Sequence, residues 1–494
     1  MEENSWFITA TITVIVVFVL AKFLASKIFS PTTMEWPAGP KTLPIIGNLH
    51  QLKGDLFHVV LQNLAKVHGG VFTIWIGSWN PVIIVSDFNI AREVLVSKSL
   101  DFSARSVPDY VKIVSAGGKT ISESDCGPFW HGLRKGLQGV ALNPLHLMSQ
   151  SHLQERDMQN LIKSMQESAS QEDGVIQPLD YIRKATIRLL SRILIGQDFS
   201  NEDFVDSMNH TLHKLVSIGG FASLADAFKI GEYLPTHKKF IRELKDVSEE
   251  AANLILPYIV SKPSKNTYLH FLVSQEYSED VIVSAVLEIF GMSSDSTAAA
   301  TVWALAFLVR HPDIQEKLYQ EIKNVTGGNR PVQIVDVKKM PYLQAVVKET
   351  LRMKAVGPMG ISHKASKNTS LMGKKIDKGT QVMVNHYAIH HNSDIFPEPY
   401  NFKPERFFKD VNSDASLGDR EKMESSLLPF GAGMRVCAGT DIAKLIISFG
   451  IASLVNEFKW SCVSDGKLPD LSEDLSFILL MKNPLEARIA PRVD

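Results

Sequence analysis

The densest grouping of reactive side chains is Phe430-Gly431-Ala432-Gly433-Met434-Arg435-Val436-Cys437-Ala438-Gly439, which sets an aromatic ring, a guanidinium and a thiol into one short loop. Glycines at 431, 433 and 439 permit positive φ and close backbone approach. The loop runs into an apolar-periodic segment, Ile442 to Leu454, that reads as a helix. A thiol just ahead of a helix meets unpaired N–H groups and the positive end of the dipole, both of which favour the thiolate, the form that ligates iron. An isolated free cysteine is ordinarily an inert small hydrophobe, but that leaves the glycines, Phe430 and Arg435 unexplained. The chain holds three cysteines, Cys126, Cys437 and Cys462, too few and too scattered for a disulfide framework or a structural zinc site. No Walker loop, HExxH or GxGxxG occurs, so electrons for redox chemistry must come from another protein.

A second polar group, Ser293-Ser294-Asp295-Ser296-Thr297, falls in the middle of the longest apolar stretch. That stretch predicts a helix from an N-cap at Ser278 to Arg310, where His311-Pro312 stops it. Its length is roughly 50 Å at 1.5 Å per residue, and apolar residues nearly all round it require that it cross the core. Buried hydroxyls commonly bond back to a carbonyl one turn earlier, which suffices for Ser293 and Ser294; an acid followed by two alcohols points to proton handling. A shorter helix, Tyr342 to Met353, sets Glu349 and Arg352 one turn apart, beside an apolar face of Leu343, Val346, Val347, Thr350 and Leu351. Strands are predicted at Val71 to Ile76 and Pro81 to Val85, and the C-terminal third reads as loop-rich.

At 494 residues and 45% hydrophobic the chain suits one large fold, and 52 basic against 53 acidic residues carry no footprint of a nucleic-acid binder. Residues 1–30 form the predicted membrane anchor, since Trp6 to Ala25 is apolar over about the length of a bilayer span. Glu2 and Glu3 precede that stretch and Lys22 and Lys27 follow it, the reverse of a cleaved signal peptide, so the body is expected to face the cytosol. Residues 31–48, with Trp36-Pro37-Ala38-Gly39-Pro40, Pro44 and Gly47, form a proline-rich hinge ahead of a catalytic body spanning 49–494.

The spacing Phe-x-x-Gly-x-Arg-x-Cys-x-Gly resembles the haem-binding signature of the cytochrome P-450 superfamily. Glu349-x-x-Arg352 followed by Pro404-Glu405-Arg406-Phe407 resembles its Glu-Arg-Arg structural triad, and Trp130-x-x-x-Arg134 resembles its propionate-holding helix. Alone, an ExxR pair is ordinarily a solvated surface ion pair; the order of the motifs is what makes them specific. The resemblance implies a mainly α fold with small β-sheets and an N-terminal transmembrane helix, single-pass in the endoplasmic reticulum membrane. It implies haem b with Cys437 as axial iron ligand, in a loop that includes Phe430, Gly433 and Gly439. Propionates would be held by Trp130, Arg134, Arg435 and His363, the last standing where the family usually has arginine. Dioxygen and electrons from NADPH, passed by a separate NADPH-cytochrome reductase, complete the requirements. Asp295 with Ser296 or Thr297 would relay protons. Met292 and Ser293 stand where the family has small residues, and Ser296 where it has threonine, which puts ordinary relay geometry in question.

Nearly the whole chain is similar to plant oxidases that close rings on benzylisoquinoline alkaloids, through Trp36 to Leu52, Thr73 to Trp79 and Met481 to Ala487. Two chemistries occur there: carbon-carbon phenol coupling, of the salutaridine synthase type, and conversion of an ortho-methoxyphenol into a methylenedioxy bridge, of the canadine, stylopine and cheilanthifoline synthase type. Lys409 to Asp414, Gly117-Gly118-Lys119 and Asn201-Glu202-Asp203 look like the coupling type, whereas His363-Lys364 and Ser370 to Lys375 look like the bridge-forming type. The balance favours coupling of a reticuline-like substrate. By family position Val111, Phe290, Met292, Val356, Gly360, Phe477 and Ile478 are expected at the substrate pocket, although apolar residues are more often core. Asp109 reads as a solvated loop carboxylate before a partner for a substrate amine. Rival classes are a haem-thiolate isomerase or dehydratase, which needs no acid-alcohol pair, and a non-catalytic haem protein.

Overall fold

The computed structural model describes Thr13 and residues 36–492 apart from 78, 200–201, 220–228, 262, 409–416, 465 and 477. The expected anchor, Phe477 and the stretch from Lys409 to Asp414 thus fall outside the described residues, Thr13 excepted. The principal elements are β1 (Val71–Ile76), β2 (Asn80–Val85), α1 (Asp109–Val114), α2 (Pro128–Gly136), α3 (Leu179–Leu194), α4 (Glu202–Gly219), α5 (Pro235–Val260), α6 (Glu279–Arg310), α7 (Pro341–Met353), β3 (His363–Lys364), β4 (Gln381–Val384) and α8 (Thr440–Glu457).

α6 is the axis of the fold. Glu279 and Asp280 lie in its first turn, where the dipole favours anions, and it ends at His311 ahead of Pro312. Its second half, Ala298 to Val309, is buried throughout. The run of alanines there lets α3, α7 and α8 pack closely against it. Among the described residues α6 alone is long and apolar enough to cross a bilayer, but more than half of its apolar window is buried inside the protein. It is a core helix.

The two predicted strands pair antiparallel, and the sheet is completed from far along the chain: β4 runs parallel to β2, and β3 antiparallel to β4. From Trp36 onward the proline-rich stretch is fastened to this sheet. Asn48 Oδ1 accepts the Trp75 N–H at 2.7 Å, Trp36 packs edge-on against Trp75 at 5.9 Å, and a Cβ on Gly39 would lie 2.0 Å from the Thr73 carbonyl oxygen. Residues 36–48 thus lie as a strap on the body.

α7 buries both of its apolar face and its charges. Arg352 grips Glu349 in two parallel bonds of 2.8 Å and donates to the His390 carbonyl at 2.8 Å, while Arg406 reaches Glu349 Oε1 at 3.3 Å. Glu349 also accepts the Lys403 N–H at 2.9 Å, so one buried carboxylate ties α7 to the segment carrying Arg406. The pair has no solvated form here, unlike the surface ion pair that its spacing alone suggests. Breaking a buried pair from one side leaves an uncompensated charge. Glu349→Ala should therefore lower unfolding stability by about 3–5 kcal/mol; a denaturant titration with an unchanged midpoint would show that the network holds nothing together.

Candidate active site

A cavity of about 390 Å³ opens between α6, the start of α8 and the 429–439 loop. Cys437 lies in its wall and keeps surface exposed to it. The Cys437 N–H donates to the Phe430 carbonyl at 2.9 Å, and the Cys437 carbonyl accepts from the Thr440 hydroxyl at 2.9 Å, which ties the loop to the first turn of α8. Gly431 and Gly433 both have φ 68°, and a Cβ on Gly433 would stand 1.6 Å from the Leu95 carbonyl oxygen, so only glycine fits there. Gly439 departs from expectation. Its φ is −95°, at the N-cap of α8, and what it contributes is an N–H near the thiol that favours its ionised form.

Burial pushes the Cys437 thiol up, and the Gly439 N–H and the Arg134 guanidinium only partly oppose this. A metal ion bound at the sulfur deprotonates it outright.

Three guanidiniums gather beside this cavity. Arg435 donates to the carbonyls of Ser103 (2.6 Å), Ser124 (2.6 Å) and Ile121 (3.2 Å). Arg134 donates to the Val436 carbonyl at 2.7 Å, and Arg105 to those of Ser122, Ile361 and Ser362 at 2.9–3.0 Å. Among the described residues their hydrogen bonds go to neutral oxygens. Burial, and then the proximity of Arg435, brings Arg105 down to about 10, and burial lowers Arg134 and Arg435 as well. Trp130, its indole N–H on the Ile121 carbonyl at 3.0 Å, has Arg134 and Arg435 at 5.2 and 5.0 Å from its ring. An apolar cavity with a thiol in one wall and cations bonded only to neutral oxygens beside it suits an iron porphyrin with two propionates, so the residues present fit haem. Bound there, haem supplies one-electron redox chemistry and activation of dioxygen.

His363 lines the same cavity as a neutral ring: its Nδ1 lies 2.9 Å from the Phe102 carbonyl, and burial, with Arg105 next, brings it down to about 3. The cation beside it is Arg105, which sequence reasoning missed. Nothing marks it in Phe102-Ser103-Ala104-Arg105; only the fold brings it to the cavity.

The polar patch of α6 divides between two faces. Ser293, Ser296 and Thr297 line the cavity; the Ser296 hydroxyl donates to the Met292 carbonyl at 2.6 Å and Ser294 to that of Phe290 at 2.8 Å. Asp295 is turned away from this wall and is held by Arg183 of α3, both fully buried, with Arg183 also on Asp180 at 2.9 Å. The alcohols are aimed at the cavity; the acid is tied behind them.

Of the expected pocket residues, Met292, Val356, Gly360 and Ile478 line the cavity. Phe290 does not: it is fully buried among apolar side chains of α3 and α4, because position 290 falls on the face of α6 turned from the cavity. Val111 lines a second cavity, of about 570 Å³, between α1, α4, α5 and α6. Asp109 is exposed and paired with Lys112 at 2.6 Å, as a solvated loop carboxylate should be.

Cys437→Ala should abolish the thiolate-type carbon monoxide band, and Arg105→Ala combined with Arg435→Ala should reduce the haem retained per folded chain severalfold with Cys437 intact. A normal band in the first variant, or full haem content in the second, would contradict this assignment of the cavity.

The chain matches the cytochrome P450 family over residues 37–489. It is 64% identical to cheilanthifoline synthase from Argemone mexicana, covering 100% of both chains, and 60% identical to salutaridine synthase from Papaver somniferum, covering 100% of this chain and 98% of the other. A zebra fish cytochrome P450 solved with abiraterone shares the fold, with a TM-score of 0.76 at 24% identity over 88% of this chain and 99% of that one. Haem-thiolate oxidation served by a redox partner, with dioxygen and a small-molecule substrate, goes with that family. The chain belongs to the cytochrome P450 family and, within it, to the oxidases of benzylisoquinoline alkaloid biosynthesis.

Proposed function

We propose that this oxidase closes a methylenedioxy bridge on an ortho-methoxyphenol of a benzylisoquinoline-derived alkaloid. The observation that carries this is 64% identity along the full chain to a cheilanthifoline synthase, against 60% to a salutaridine synthase. Position in the structure adds to it. His363, in a segment similar to the bridge-forming type, lines the cavity, whereas Gly117-Gly118-Lys119, similar to the coupling type, lies in the wall of neither cavity. The preference for phenol coupling read from short segments gives way accordingly.

Bridge formation removes two hydrogens from the substrate, one from the methoxyl and one from the phenol. With NADPH and a proton they reduce one dioxygen to two waters, so no oxygen atom is retained in the product. The chain's own work in this reading is positional. Arg134, Arg435 and Trp130 would hold the propionates, Val356 and Ile478 would press the aromatic ring, and the hydroxyls of Ser296 and Thr297 would carry protons. Residues 1–30 would anchor the protein in the endoplasmic reticulum membrane, single-pass and with its body in the cytosol, where NADPH-cytochrome reductase can dock.

Membranes carrying the chain, a plant reductase and NADPH should convert scoulerine, from a panel with (R)- and (S)-reticuline, into a product lighter by two hydrogens in which one methoxyl and one phenol have become a bridge. Both methoxyls retained, with two phenols consumed and a new carbon-carbon bond, would establish coupling instead. The mass change is the same for both, so the product's structure decides.

A further inference from the structure

The second cavity meets the haem cavity at a sill formed by Ser122, Glu288 and Met292, which line both. Two carboxylates converge there on one hydroxyl. Glu288 accepts the backbone N–H groups of Ile121 and Ser122 at 2.9 and 2.8 Å and also contacts the Ser122 hydroxyl; Glu123 Oε1 lies 3.1 Å from that same hydroxyl. A serine hydroxyl has one proton to donate, so it cannot serve both anions. Among the described residues neither carboxylate is hydrogen-bonded to a lysine or arginine, because Arg105 and Arg435, the cations nearest Glu123, are spent on carbonyls. Burial pushes both carboxyls up, and Glu288 pushes Glu123 further.

The Thr120 hydroxyl, buried in the wall of the same cavity, makes no well-formed hydrogen bond among the described residues, although it stands near enough to Glu288 to lower that carboxyl. The outer part of the cavity is also anionic, with Glu249, Glu279 and Asp280 against Lys245. What the two carboxylates lack is a bonded cation that carries a donor hydrogen, since Arg105 and Arg435 act on Glu123 only from a distance, and the negative walls would draw an organic one inward.

We propose that Glu123 and Glu288, with Ser122 between them, recognise the protonated amine nitrogen of the substrate at the sill, leaving its aromatic ring to pass Met292 into the haem cavity. This rests on the preceding section for the identity of the substrate as a basic alkaloid, but not for which ring closure follows. Glu123 is the specificity residue, since Glu288 also anchors the loop through two backbone bonds. Charge-assisted bonds in such a site discriminate strongly against a neutral isostere.

The test is an optical titration of the membrane-bound holoenzyme at neutral pH with scoulerine and with its 8-oxo lactam, whose nitrogen carries no charge. Wild type should bind the amine more tightly, and Glu123→Gln should weaken the amine by about tenfold while leaving the lactam within about twofold. Equal weakening of both ligands, no weakening of the amine, or a wild type that binds the two alike or neither would overturn the proposal. Should Glu123→Gln lose its carbon monoxide band, the wild-type comparison alone decides. Products are read separately: a bridged product without charge preference refutes this site and leaves the function, whereas a charge preference lost in Glu123→Gln without a bridged product does the reverse.

Discussion

Three guanidiniums, those of Arg105, Arg134 and Arg435, stand beside the Cys437 cavity with neutral oxygens as partners. Desolvated cations are tolerated only where dipoles surround them and a counter-charge can arrive. The backbone between Phe102 and Ser124 is shaped by that constraint. Its carbonyls at 103, 121, 122 and 124 turn inward to accept from Arg105 and Arg435, and the Ile121 carbonyl serves Trp130 as well. The N–H groups of the same segment, at Ile121 and Ser122, then face the other way and need an anion, which Glu288 of α6 provides. The Cys437 cavity and the second cavity thus meet at one short loop.

α6 carries two tasks because its turns present different faces. Positions 288, 292 and 296 follow at intervals of four and all line the haem cavity, while 290 and 295, displaced around the helix, point into the core and towards α3. Asp295 and Ser296 are neighbours in sequence and about 100° apart around the axis. Adjacency in a motif is therefore no measure of whether two side chains can share a proton, and the Arg183 pair shows where the acid goes when packing decides.

What the sequence made legible were features set locally. The long helix, its stop at His311-Pro312, the glycine-strained loop and the cysteine ahead of a helix all come from residues that are near one another in the chain. The completion of the sheet by β4, with Val82 facing Gln381, was not legible, because strand pairing across such a separation leaves no mark in either segment. Arg105 stayed hidden for the same reason. Glu288 was different: a lone acid between Leu287 and Ile289 in an apolar helix breaks the pattern, and that break was the available signal.

The wall that faces the chemistry is built from Ser296 and Met292 together. The Ser296 hydroxyl gives its only proton to the Met292 carbonyl, so at the cavity it offers lone pairs and can only accept. To deliver a proton it must take one from the cavity side and surrender, or exchange, the one held by the carbonyl. Serine lacks the β-methyl that restricts threonine's χ1, which eases that rotation. Met292 reaches the same surface with a flexible, unbranched side chain, able to fill or yield space beside an aromatic ring. Where a small residue would leave an open groove for water, this helix sets an adaptable apolar surface next to an alcohol that accepts before it donates, an arrangement suited to a chemistry whose product keeps no oxygen atom.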